Sequence, residues 1–130
     1  MPESPAVSVT GWIAGWERAW NSGDPGFIDS IYTDDCVFRS HPFRDPEDPR
    51  AYVRRVLPTE EEVDARFGAP VIEGDRATVE WWATLIEEGQ EVTLAGCSIL
   101  RFAADGRCRE QRDYWSMTPG RRRPPDGWGR

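Results

Sequence analysis

Lysine is absent: all sixteen basic residues of this 130-residue chain are arginine. Chemistry through a lysine Schiff base, and a phosphate loop that closes on a lysine, are thereby excluded. Histidine occurs once, at His41, and the three cysteines stand apart at 36, 97 and 108. No zinc-type spacing can be assembled from that set; a metal would have to rest on carboxylates alone, and none is expected. The odd thiol count argues for free cysteines in a reducing cytoplasm. The opening stretch Met1 to Thr10 lacks the charged and apolar segments of a secretory leader. No apolar run is long enough to span a bilayer, so no membrane partner is expected.

Positive charge is also scarce, with a formal net charge of −7. That argues against nucleic acid, whose phosphates require a clustered positive field. The single basic run, Arg121 to Arg123, lies in a Pro/Gly-rich stretch that reads as a solvated tail. The length suits one domain, taken as residues 1–117 followed by a tail at 118–130. What the chain has in quantity is tryptophan, seven residues that concentrate apolar area in a few large side chains. Such a composition suits a deep, aromatic-lined interior.

Trp12, Trp16 and Trp20, spaced by four, form one stripe of a helix capped by Ser8 or Thr10 and running to about Asn21. Core packing and ligand stacking are both open to that stripe, and they are compatible if the helix roofs a pocket. Asp24-Pro25 restarts the chain as a short helix burying Phe27, Ile28 and Ile31, and Asp48-Pro49 repeats the device for a third helix to about Leu57. Cys36 to Ser40 reads as a short strand, stopped by His41-Pro42-Phe43, with Tyr32 and Asp35 fixing the junction before it. From residue 62 the pattern changes to strands: Glu62 to Ile72, Arg76 to Ile86, Glu91 to Ala103 and Arg107 to Met117, parted by Gly74-Asp75, Glu88-Gly89 and Asp105-Gly106. Helices first and strands afterwards indicate an α+β domain with helices on one face of an antiparallel sheet. Gly96 is a candidate bend.

Strand alternation then sorts the side chains. Leu94, Gly96 and Ser98 share one face, and across the Asp105-Gly106 turn Gln111, Asp113 and Trp115 share one face. A lone carboxylate, Asp113, therefore stands between Gln111 and Trp115.

Trp16 to Asp24 (WERAWNSGD), Ile31 to Phe43 (IYTDDCVFRSHPF) and the Asp-Gly-x6-Asp-Tyr-Trp pattern from Asp105 to Trp115 resemble the nuclear transport factor two-like superfamily. Within it the chain is most similar to the branch of ketosteroid isomerases and SnoaL-type polyketide cyclases. The resemblance implies a cone: three N-terminal helices in the concave face of a strongly curved, mainly antiparallel sheet. It also sets the parity, so that Val79, Trp81, Leu94, Gly96, Ser98, Gln111, Asp113 and Trp115 face the cone. Trp12, Trp16, Tyr32, Phe38 and Phe43 complete the expected lining. The steroid isomerases' two oxyanion donors fall at Trp16 and near Ser98, and their general base at Ser40 or His41, so none is kept in kind and no steroid isomerisation is expected. Arg112-Asp113-Tyr114-Trp115 resembles the run that carries the acid of limonene-epoxide hydrolases, but Val79 and Trp81 occupy the places of their arginine and second aspartate. The single last-strand aspartate of the polyketide cyclases is the pattern most nearly retained.

A carboxylate among indoles has its pKa raised toward neutrality. The expected activity is cofactor-free proton transfer on a small hydrophobic carbonyl compound, by a cyclase or isomerase type of reaction, or else a hydrolase type, with Asp113 as acid/base and His41 assisting. Each has a plainer reading: Asp113 as acceptor from Trp12 or Trp16 or as partner of a buried arginine, His41 as a turn contact. A non-catalytic ligand-binding or dimerisation module is the alternative, the latter if Trp16, Trp81 and Trp115 fill the cone. On the other face Trp82, Thr84, Cys97, Ile99 and Tyr114 would look outward, which suggests a homodimer packed sheet to sheet.

Overall fold

The computed structural model describes residues 4–130; the first three residues of the stretch read above for a leader lie outside them. Helix α1 (Pro5–Ser22) begins earlier than its pattern suggested. Its cap is Ser4, whose Oγ accepts from the N–H of Val7 at 3.2 Å. Ser4-Pro5 is thus the same cap-then-proline signal as Asp24-Pro25 and Asp48-Pro49, and it displaces the expected caps Ser8 and Thr10. Gly23, in the left-handed region at φ 77°, ends the helix.

The expected second helix is a single 3-10 turn, Pro25–Ile28. Asp24 caps it through the N–H of Gly26, but β1 (Tyr32–Arg39) starts too soon for a further turn to form. Phe27, expected inside, lies under the Arg18 guanidinium at the surface. The described residues therefore hold two α-helices, α1 and α2 (Pro49–Val56), where three were expected. β1 also begins four residues before Cys36, so Tyr32 is its first residue and not a junction preceding it. From α2, Arg50 donates to the carbonyl oxygens of Asp29 and Tyr32 at 3.0 and 2.8 Å, tying the helix to the start of that strand.

The remaining strands are β2 (Glu60–Phe67), β3 (Val71–Glu73), β4 (Arg76–Glu87), β5 (Gln90–Phe102) and β6 (Cys108–Pro119). They form one mixed six-stranded sheet in the order β1-β6-β5-β4-β2, with β3 also paired to β4. Among the described residues only the β1–β6 pair is parallel. The segment read as one strand from Glu62 to Ile72 is divided because Pro70 has no N–H to give the ladder. Between the two parts Gly68 donates to Glu80 O and Ala69 to Gly129 O.

One face of the sheet packs on α1. Ala77, Val79, Trp81, Ala83 and Leu85 alternate inward along β4, against Trp12, Trp16 and Trp20 from the helix. Trp20 meets Trp81 edge-on at 5.4 Å between ring centroids, and Trp12 meets Phe67 likewise at 5.7 Å. Burying three indoles on this scale contributes about 2–3 kcal/mol each and holds the helix across the strands.

Candidate functional site

The face covered by α1 is not completely filled. A cavity of about 60 Å³ remains, bordered by Trp12, Trp16, Trp20, Trp81 and Trp115, by Tyr52, Leu57 and Phe67, and by the polar side chains of Ser40, Glu60, Ser98, Gln111 and Asp113. Register explains the polar group: Ser98 stands opposite Asp113, Leu100 opposite Gln111, Gly96 opposite Trp115 and Trp81 opposite Gly96.

One oxygen of Asp113 is held tightly. Its Oδ1 accepts from Ser98 Oγ at 2.6 Å and from Gln111 Nε2 at 2.9 Å. Each donor is itself fixed. Trp81 Nε1 donates to Ser98 Oγ at 3.1 Å, while Trp12 Nε1, at 3.0 Å, and the Tyr32 hydroxyl both donate to Gln111 Oε1. Trp16 Nε1 in turn donates to the Tyr32 oxygen at 2.7 Å. This directed chain orients Gln111 so that its amide N–H faces the carboxylate. The second oxygen, Oδ2, makes no hydrogen bond among the described residues. Burial pushes the Asp113 carboxyl up to about 6, against the pull of its two donors.

Glu60 is a second carboxyl on the same cavity, and the sequence reading missed it by starting this strand at Glu62. Its Oε1 accepts from Trp20 Nε1 at 2.9 Å, and burial, with Glu87 adding to it, pushes this carboxyl up to about 7. A β-bulge also hides it from the pattern: Glu60 pairs with Glu87 and Glu61 with Ile86, but Asp64 pairs with Thr84, so β2 carries one extra residue between them. Glu62 takes up the excess at φ 49°. Strict alternation back from Ala65 would send Glu61 inward; the bulge sends Glu60. Within Glu60-Glu61-Glu62 the sequence offers no sign of the change. Trp20, Ser40, Tyr52, Val56, Leu57 and Phe67 were also left out of the expected lining. The first could have been found, since it continues the stripe of Trp12 and Trp16.

Of the residues expected at the site, Trp12, Trp16, Trp81, Leu94, Ser98, Gln111, Asp113 and Trp115 border the cavity. Tyr32 stands one step behind, reaching it through Gln111. Phe38 is fully buried against Tyr32 and Tyr52, and Val79 is fully buried in the core. Phe43, expected in the lining, is 93% exposed, because Pro42 turns the chain outward. Gly96 makes room instead of lining: a Cβ there would lie 2.5 Å from Trp115 Cβ. His41 does not reach the cavity. Its ring packs edge-on against Trp115 at 5.2 Å, and its Nδ1 accepts the N–H of Phe43 at 3.2 Å, which is the turn contact. Asp113 accepts from neither Trp12 nor Trp16, and no arginine pairs with it among the described residues. Nor do those residues offer any group of three or more His, Cys, Asp or Glu side chains placed to hold a metal.

On the outer face Trp82 is covered by the C-terminal segment, which was expected to be solvated. Trp82 Nε1 donates to Arg122 O at 2.8 Å and its ring meets Trp128 edge-on at 6.3 Å.

The SnoaL-like domain family matches residues 13–111, a span that runs from within α1 to Gln111 in β6. The chain belongs to this family. Among solved structures, this SnoaL-like domain is similar to an LEH-like epoxide hydrolase from M. tuberculosis, at 18% identity over 86% of this chain and 82% of the other, with a TM-score of 0.67. It is similar to TsrD from Streptomyces laurentii at 22% identity over 87% and 91%, TM-score 0.72. A third likeness is SalBIII, an epoxide hydrolase/cyclase-like enzyme with a role in pyran ring formation in the polyether salinomycin, at 16% identity over 88% and 96%, TM-score 0.74. At these identities the likeness is one of fold. No curated protein sequence matches the chain. Among the described residues no helix is long and apolar enough to cross a membrane.

Proposed function

We propose that this SnoaL-like domain is a cofactor-independent acid/base catalyst of the cyclase or isomerase type, acting on a small apolar carbonyl compound. Asp113 takes and returns a proton alpha to the carbonyl. The observation that carries this reading is the asymmetry of its carboxyl group: Oδ1 is fixed by Ser98 and Gln111, while Oδ2 is left without a protein partner beside an aromatic cavity. A carboxyl that titrates at about 6 is mostly ionised at neutral pH, yet basic enough to hold a proton in transit. His41 lies outside this proton path and serves as backing for Trp115. The cavity is small, about 60 Å³. A substrate therefore enters by displacing rings, and Trp115, half-buried and pinned through Nε1 to Ser40 O at 2.6 Å, is the one nearest the surface loop.

Deuterium uptake alpha to the carbonyl of cyclopentanone in D2O, followed by proton NMR, tests the reading. The wild type should exchange well above buffer, and Asp113→Asn should lose at least about 100-fold of that rate while still binding the ketone. Failure of the wild type to exceed buffer, or equal rates for both proteins, would overturn it.

A second reading, a binding module without turnover, has one observation in its favour. The indole N–H groups of Trp12, Trp16, Trp20, Trp81 and Trp115 are all engaged within the protein, leaving none to stabilise an enolate. Asp113→Asn separates the two, since a binder has no rate to lose. The free thiols of Cys36, Cys97 and Cys108 fit a reducing cytoplasm as the site of action. A homodimer would form across the uncovered strip of Cys97, Ile99 and Tyr114, the last of these 41% exposed; Trp82 drops out because the chain's own tail covers it. A monomeric mass at micromolar concentration would remove the dimer.

A further inference from the structure

Glu60 has no part in the reaction as described so far, although it borders the same cavity as Asp113. Its place is built. The bulge in β2 turns it inward, Trp20 fixes Oε1, and Oε2 is left without a partner among the described residues. The cavity offers few donors to a carbonyl oxygen that gains negative charge: every indole N–H on the wall is already spent, which leaves the hydroxyls of Tyr52 and Ser40 and a protonated Glu60.

We propose that Glu60 is the second working carboxyl of the cavity, donating a hydrogen bond from its protonated side chain to the carbonyl oxygen of a neutral ligand. The inference rests on the reading of this cavity as a carbonyl site, though not on turnover. Oε1 must accept from Trp20, so the proton belongs on Oε2, the oxygen free to meet a ligand. The two carboxyls come from β2 and β6, with β4 and β5 between them, yet both border the same cavity of about 60 Å³. Burial and the charge of Glu87 favour the neutral form of Glu60, against the pull of the Trp20 hydrogen bond. Glu87 is its register partner on β4, Asp113 faces the cavity from β6, Tyr52 from α2, and α1 contributes uncharged Trp20. Among the described residues no arginine borders the cavity. With a carboxyl held up to about 7, the donor is present below neutrality and ionises above it.

The prediction is a ligand preference with a pH signature: small neutral ketones bind below pH 7 and are released above it. Cyclopentanone binding, read from indole proton shifts between pH 5.5 and 8.5, tests this in four proteins. The wild type and Asp113→Asn should both lose about tenfold in affinity from pH 6 to pH 8, the second showing that the step is not owed to Asp113. Glu60→Gln, which keeps an amide donor but cannot ionise, should bind with no pH step. Glu60→Leu should bind at least fivefold more weakly than the wild type at pH 6, with circular dichroism confirming its fold. Absence of the step in Asp113→Asn, a step persisting in Glu60→Gln, equal affinity in Glu60→Leu, or no ketone binding at all would overturn the proposal. Its failure is distinguishable from that of the catalytic reading. Exchange that depends on Asp113 with binding indifferent to Glu60 sinks only this inference. Binding that depends on Glu60 without any exchange sinks only the catalysis.

Discussion

The burial that readies Asp113 and Glu60 to carry protons also works against the fold. Asp113 rises from 3.8 to about 6 and Glu60 from 4.5 to about 7, so between roughly pH 4 and pH 7 the folded chain holds protons that the unfolded chain has released. Stability must then fall as pH rises through that window, and above it both groups exact their full cost. Full shifts of this size correspond to roughly 3 kcal/mol each, and partial contact with solvent brings this nearer 1–3. Asp29 and Asp105 are shifted the other way by Arg54 and Arg107, but they lie at the surface, and their effect falls at the acid end of the range. Urea unfolding should therefore show a protein more stable at pH 5 than at pH 8, with Asp113→Asn and Glu60→Gln each gaining about 1–3 kcal/mol at pH 8. A wild type most stable at pH 8 would mean that neither carboxyl is as dry as the geometry implies. Of the two, Asp113 was legible in the sequence, because alternation groups it with Gln111 and Trp115 and the family resemblance sets which face turns inward. Glu60 was not, because nothing in a run of three glutamates tells where the ladder gains a residue.

At the scale of elements, what could be read were the long strands and the cap-then-proline helix starts, both of which depend on local backbone chemistry. What could not be read depends on contacts between elements. Gly96 is an example: the sequence marks it as a bend, whereas the structure shows that β6 passes so close that no Cβ fits between Gly96 and Trp115. That close approach puts Trp115 on the cavity wall. Gly96→Ala should cost about 1–3 kcal/mol by overpacking, and the accommodating shift should move the Trp115 indole away from Ser40 O. A drop in thermal midpoint together with a shifted Trp115 indole N–H resonance would show it. An unchanged midpoint would mean that the strands separate freely here. Asn21 makes a second link that the sequence conceals. From the last turn of α1 it donates to Ala65 O at 3.1 Å and accepts the Ala65 N–H at 2.8 Å, so a side chain stands in for a neighbouring strand at the edge of β2. This bond pair steadies the strand that carries Glu60.

For the molecule as a whole, the sheet has two faces with different covers. The inner one is closed by α1 and α2 around the cavity; the outer one is closed in part by the chain's own end. After β6, Thr93 Oγ1 donates to Gly120 O and accepts from the N–H of Arg122, each within 2.9 Å. Further along, Gly129 donates to Glu80 Oε1 at 2.7 Å and accepts from Ala69 N at 2.8 Å, while Trp128 lies on Trp82. Gly68 is the counterpart of this contact, since a Cβ there would lie 2.7 Å from Gly129 Cα. Composition hid all of this: a Pro/Gly/Arg-rich stretch has the signature of a solvated tail, and only the pairing of one tryptophan with another 46 positions away marks it as part of the domain. Removing residues 121–130 strips the indole cover and these hydrogen bonds from the outer face, a loss of about 2–3 kcal/mol, which for a chain of this size lowers the thermal midpoint by roughly 5–10 °C. Because the tail lies over β4 while the strip of Cys97, Ile99 and Tyr114 lies on β5 and β6, the truncated chain should keep whatever pairing the full chain has and add further association through bared Trp82. Sedimentation of both forms at micromolar concentration, with their melting curves, decides it: an unchanged midpoint would show that the tail adds nothing to the fold, and a truncated form that loses its pairing would place the interface under the tail instead of beside it.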